Sequence, residues 1–149
     1  MSKSVQTPHI LLVENDPTIV KLLVVQLQTQ NLRVTTAYDG VEGLRHAADL
    51  KCEDPISVIL SNFDMPGMSG LDFLHRFRQK GFETPFIFLA SQSDTENARK
   101  ALRLGALDLV EKPHHPEVLI KVLNKAIHFG ILLKDLDHQL RNDKKAARG

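Results

Sequence analysis

The sequence predicts an α/β domain: a doubly wound parallel sheet of five strands with helices on both faces. Two observations predict it. Five short apolar runs alternate with five stretches of helical periodicity along the 149 residues. The first run, Ile10-Leu11-Leu12-Val13, is apolar throughout, as a strand is when both of its faces are covered. Such alternation builds parallel strands joined by right-handed crossovers.

Residues 10–13 are the first strand. Asp16-Pro17 follows, a carboxylate that can cap a helix and a proline suited to its first position. Val20, Leu23 and Leu27 then recur at helical spacing. The second strand, 33–37, is rich in β-branched residues. Asp39-Gly40 turns the chain into a second helix over 41–50. Residues 56–61 form the third strand, and 71–79 the third helix, closed by Gly81. Pro85 introduces a strand over 86–90, and a fourth helix over 94–104 ends at Gly105. Residues 107–110 are the fifth strand. Lys112-Pro113 follows, and Pro116 opens the last helix.

That helix is longer than the fold needs. Leu119, Ala126, Leu133 and Leu140 recur every seven residues, and Val122, Phe129 and Leu136 follow the first three of them by three. This is an a/d heptad seam over about three repeats. It supports a homodimer or a partner-binding extension. Gly130, costing up to ~1 kcal/mol against alanine in mid-helix, supports a different reading. In that reading the first half packs on the sheet and the rest frays. The domain is expected over 9–129, with 1–8 a disordered N-terminus. Residues 130–149 are expected to extend helix five and to end, from Arg141, in a disordered basic tail.

Composition narrows the function. Nineteen Lys and Arg against eighteen Asp and Glu give a net charge of +1, which argues against a dedicated nucleic-acid surface. A single cysteine, Cys52, excludes an intrachain disulfide framework and fits a reducing compartment; nothing near it suggests an activated thiol. No run approaches the roughly 20 apolar residues of a membrane span, and the N-terminus lacks the apolar core of a signal peptide. The expected location is cytoplasmic.

Four motifs sit at strand ends in a fixed order. Val13-Glu14-Asn15-Asp16-Pro17 follows strand one, and Met65-Pro66-Gly67-Met68-Ser69-Gly70 follows strand three. Gly105-Ala106 precedes strand five, and Lys112-Pro113 follows it. With these the chain resembles the receiver domain of bacterial two-component response regulators over about residues 9–129. The resemblance implies a flavodoxin-like (βα)5 fold with strand order 2-1-3-4-5.

It also implies a chemistry. In such receivers an aspartate ending strand three accepts a phosphoryl group, and acids after strand one help to hold magnesium. The metal neutralises charge on the transferring group. A lysine after strand five pairs with the phosphate. A hydroxyl ending strand four and an aromatic residue in strand five then move. Carried onto this sequence, the phosphoacceptor position is Asn62, and the acid pair is Glu14 and Asn15. Asp64 takes the position whose backbone carbonyl faces the metal. The switch positions hold Ala90 and Leu109, with Ser91 beyond Ala90. Lys112 is intact, before an X-Pro bond that is cis in the family.

The departures fall on nucleophile, metal ligand and sensor. An amide nitrogen delocalised into its carbonyl cannot form an acyl phosphate, so Asn62 cannot be the acceptor. Hard cations need several oxygen ligands, carboxylates prominent among them. Glu14 and Asp64 remain as weak metal candidates, and magnesium binding is expected to be weak or absent, with no other cofactor. Asp16 reads as a helix cap, Ser61 as a strand residue, Ser91 as a loop hydroxyl, and His114-His115 as solvated loop residues.

The expected function is that of a degenerate, stand-alone receiver. It would not be an enzyme, and would act by protein–protein contact without phosphorylation. Its partner, a histidine kinase or other signalling protein, would use the face made by helix four, strand five and helix five. Direct DNA or membrane binding is not expected. Two alternatives stay open: phosphorylation at a displaced acid such as Asp64, and small-molecule binding by a flavodoxin-like apex. An Asp-to-Asn change introduced at 62 alone leaves Asn15, Ala90 and Leu109 to be explained.

Overall fold

A computed structural model describes residues 7–49, 54–112 and 114–148. Cys52, the peptide bond at Pro113 and residues 1–6 of the expected disordered N-terminus lie outside them. The chain runs β1 (His9–Val13), α1 (Pro17–Gln28), β2 (Arg33–Ala37), α2 (Gly40–Asp49), β3 (Val58–Asn62), α3 (Gly70–Gln79), β4 (Phe86–Ala90), α4 (Thr95–Arg103), β5 (Asp108–Glu111) and α5 (Pro116–Arg148). The five strands form one parallel sheet in the order β2-β1-β3-β4-β5.

Alternation along each strand sorts the core into two layers. Leu11, Val13, Ile59, Phe86 and Phe88 face α2, α3 and α4, where Phe73, Phe77 and Ala101 meet them. Ile10, Leu12, Leu60 and Leu89 face α1 and α5, meeting Leu23, Leu27, Leu119 and Leu123. The first layer is rich in rings: Phe63 stacks on Phe88 at 4.3 Å, and Phe86 meets Phe88 at 4.9 Å. The Phe63–Phe88 stack fixes the loop after β3 against β4.

Asp16 caps where the sequence places it, and Ser69 adds a second cap. Asp16 Oδ1 accepts from Thr18 N at 2.9 Å, and Pro17 opens α1. Ser69 Oγ accepts from Asp72 N at 3.2 Å at the start of α3. β1 begins one residue earlier than its apolar run, at His9. That imidazole is buried because its Nε2 meets Thr35 Oγ1 at 2.6 Å and its Nδ1 lies 3.3 Å from Asp54 Oδ2.

Two expectations about the last helix need correcting. The segment 141–148 is helical, not a disordered tail. Its Lys, Arg and Ala residues are strong helix formers, and Arg141 Nε lies 3.1 Å from Asp137 Oδ2 one turn back. Gly130 does not mark fraying either. A Cβ there would lie 3.3 Å from Pro85 Cγ, so the glycine lets α5 approach the start of β4 closely. The heptad seam is also divided. Leu119 and Ala126 are consumed by the sheet, while Phe129, Leu136 and Leu140 are exposed. Among the described residues no helix is long and apolar enough to cross a membrane.

Candidate functional site

The carboxyl ends of the central strands converge at one edge of the sheet, where open α/β folds bind ligands. Glu14 follows β1, Asn62 ends β3, Ala90 ends β4 and Lys112 follows β5. The loop after β3 is tied down locally. Gly67 takes a left-handed backbone, at φ +80°. Gly70 N donates to Phe63 O at 2.8 Å. A Cβ on Gly70 would run into the Asn62 carbonyl and the Phe88 ring, so only glycine lets the loop fold back this tightly.

Asn62 is the centre of a continuous polar network. Its Oδ1 accepts from Lys112 Nζ at 2.9 Å and from Phe63 N at 2.9 Å. Its Nδ2 donates to the Asp64 carbonyl at 3.0 Å and, more weakly, to Glu14 Oε1 at 3.4 Å. The amide oxygen therefore faces the cation and the amide nitrogen faces the anion. Glu14 Oε1 also accepts from the backbone N–H groups of Asn15 and Asp16, at 3.1 and 3.2 Å. With the Asn15 amide oriented to satisfy both of its ends, its nitrogen reaches Glu14 Oε1 at 3.2 Å and the Asp64 carbonyl at 3.3 Å.

Glu14 is 1% exposed, and its Oε2 has no hydrogen-bond partner. Lys112 Nζ lies 3.7 Å from that oxygen, too far for a hydrogen bond but close enough for Coulombic pairing. One buried carboxylate is thus balanced by one lysine. A hard divalent cation would compete here with donors already in place. Six or more oxygen ligands are usual for such ions. Here Glu14 Oε1 and the Asp64 carbonyl already accept from the two amides, and an ammonium lies beside Oε2. Among the described residues no group of three or more His, Cys, Asp or Glu converges on a metal position.

The switch positions are small or aliphatic in fact as well as in sequence. Ala90 is buried, and its carbonyl accepts from Lys112 N at 2.7 Å. Leu109 is half-buried against the layer that holds Phe88. An open cleft of about 350 Å³ lies between them, lined also by Ser91, Asp94, Thr95, Ala98 and Glu111. Ser91 is more than a loop hydroxyl. Its N–H and Oγ both donate to Asp94 Oδ2 at 2.8 Å, fastening the turn into α4. The Asp64 side chain is exposed and only its carbonyl joins the network.

His114 departs from expectation. It is half-buried, with Nε2 3.4 Å from Gln26 Oε1 on α1, and not fully solvated. Burial first, and the nearby Lys112 charge second, hold its pKa below the usual imidazole value. His115 is exposed, so the two rings do not share one environment. Sequence reasoning treated Asn15 only as a lost ligand. The structure makes it a donor, and the signal was the pairing of two amides at 15 and 62 around one retained acid.

Comparison with known proteins places the arrangement. Residues 10–124 match the family described as the response regulator receiver domain. The transcriptional regulatory protein YkoG of Bacillus subtilis is 34% identical over 119 residues, 80% of this chain and 50% of that protein. The chain spans about half the length, or less, of the curated relatives it matches. A receiver domain from Clostridium thermocellum superposes with a TM-score of 0.79 at 29% identity, covering 85% of this chain and 98% of that one. The Vibrio cholerae chemotaxis protein CheY4 gives 0.73 at 29% identity, covering 81% and 99%. The sheet order agrees with these matches, and the chain belongs to the response regulator receiver domain family.

Proposed function

We propose that this receiver signals without phosphorylation, as a protein–protein interaction module in a two-component pathway. The position of Asn62 carries the proposal: its amide bridges Lys112 and Glu14, directing oxygen to the cation and N–H to the anion. A receiver that works by phosphotransfer needs a carboxylate there and a metal to offset the crowded negative charge. This apex offsets its one buried charge internally, so it needs no magnesium and forms no acyl phosphate. Ala90 has no hydroxyl to follow a phosphate.

The partner reads the face made by α4, β5 and α5. Leu102 on α4, Leu107 just before β5 and Val118 on α5 are exposed, at 52%, 37% and 51%. A ligand shifts an equilibrium only through different affinities for two states. Any switching here is therefore driven by the partner, a histidine kinase or another signalling protein.

The test is incubation with acetyl phosphate and magnesium, followed by intact mass. No gain of a phosphate is expected, and no change in amide NMR shifts on adding beryllofluoride. A single phosphate mapped to Asp64, or to any other acid of the apex, rejects the proposal.

A further inference from the structure

The second half of α5 raises a physical problem. Every described residue from 134 to 148 is exposed, yet the segment is helical and carries Leu136 and Leu140. Isolated helices of ~12–15 residues are marginal in water, because nucleation is costly and most helical stability comes from packing.

Of the exposed apolar residues of α5, Ile131 and Leu132 lie elsewhere around the helix and the others share one stripe. At about 100° per residue, Val118, Val122, Phe129, Leu133, Leu136 and Leu140 fall within about 40° of one line along the helix. The sheet-facing residues Leu119, Leu123 and Ala126 lie about 90° around from that line. The stripe runs beside the core face, which Val122 still touches, and Leu133 on it is half-buried. Phe129, Leu136 and Leu140 are 43%, 55% and 51% exposed on it.

We infer that the stripe from Phe129 to Leu140 is covered by a second copy of this chain, packed antiparallel along α5. Charge selects both the occupant and its direction. Lys125 and Asp143 are exposed, and both lie about 40° to the same side of the stripe. Asp143 continues the d positions one heptad after Leu136. A parallel pair would set Asp143 against the partner's Asp143 inside the seam, like charge on like charge. An antiparallel pair layers Leu133 on the partner's Leu136 and Phe129 on the partner's Leu140. That register brings Lys125 beside the partner's Asp143, and the two-fold axis makes the contact twice. The inference stands apart from the chemistry of Asn62.

Sedimentation equilibrium of the 149-residue chain tests it, in reducing agent so that Cys52 cannot link copies. The expected mass is twice that of one chain. L136S and L140S remove exposed contacts only, so the domain keeps its melting transition while the dimer dissociates. K125E and D143K should each weaken the dimer severalfold, and K125E/D143K should restore it. A monomer at every concentration overturns the inference, as does a dimer unaffected by the leucine changes. A dimer broken by the leucine changes but unaffected by either single charge change overturns the antiparallel register.

Discussion

Asn62 donates its amide nitrogen to the buried carboxylate of Glu14 at 3.4 Å, a bond that an aspartate at the same position cannot make. Asp is nearly isosteric with Asn, so Asn62→Asp changes charge and donor pattern with little change in shape. An acceptor would then face Glu14 Oε1 and the Asp64 carbonyl, where a donor now serves both. Losing those bonds and adding a like charge should cost about 1–3 kcal/mol at neutral pH without divalent ions. Magnesium should raise the melting temperature of the variant and leave that of the parent unchanged. Thermal melts with and without magnesium check both. Combining the change with Asn15→Asp should lower the metal-free melting temperature further, and a rise would contradict the account.

Lys112 and Glu14 form the charge pair beneath that amide. Glu14 is 1% exposed and the Lys112 side chain 27%. Removing one partner of a buried pair strands the other. Lys112→Met should therefore destabilise by roughly 2 kcal/mol, below the fully buried range because water reaches the lysine. Glu14→Gln alone should cost less, since it leaves no buried charge. In the Lys112→Met background it should recover part of the loss. A double-mutant cycle by urea denaturation measures the coupling, and additive losses would show that the 3.7 Å contact carries none.

Strand ends and the Asp16 cap follow from local rules, while the order β2-β1-β3-β4-β5 was legible only through the resemblance to receiver domains. The resemblance named Glu14, Asn62 and Lys112, and the fold brings these three side chains together. Their hydrogen bonds were not legible. Whether an amide at 15 is a lost ligand or a working donor depends on where Glu14 and the Asp64 carbonyl lie in space. The heptad on α5 was visible, but periodicity alone cannot divide a seam between sheet and solvent. That division depends on the close approach of Gly130 to Pro85.

Gly70 shows how the fold supports the apex. A Cβ there meets the Asn62 carbonyl, a backbone atom that cannot swing aside, and Phe88 Cε1 at 2.8 Å. Gly70→Ala should destabilise by about 1–3 kcal/mol, the range for overpacking a filled core. The strain falls on the residue that carries the site. Amide NMR shifts of Asn62, Phe63 and Lys112 should move even in the folded variant. Unchanged shifts with unchanged stability would mean that the loop has more slack than its geometry implies.

His114 gives the apex a pH dependence of definite sign. Burial and the Lys112 charge lower its pKa from the usual 6.5. Between the folded and unfolded values the unfolded chain therefore binds more protons. The stability this group contributes is fully present above the unfolded value. It declines as pH falls through about 6.5 and levels off below the folded value. Asp54, lowered from 3.8 chiefly by its hydrogen bond to Arg33, also loses its contribution as pH falls, but only below that value. Denaturation midpoints measured between pH ~5 and ~7 should fall with acidity, and His114→Gln should flatten that slope while leaving the acid limb below pH ~4 in place. The ring-proton shifts of His114 should titrate with a midpoint below 6.5. A midpoint at or above that value would mean that the imidazole is more solvated, and farther from Lys112, than its 3.4 Å contact with Gln26 implies.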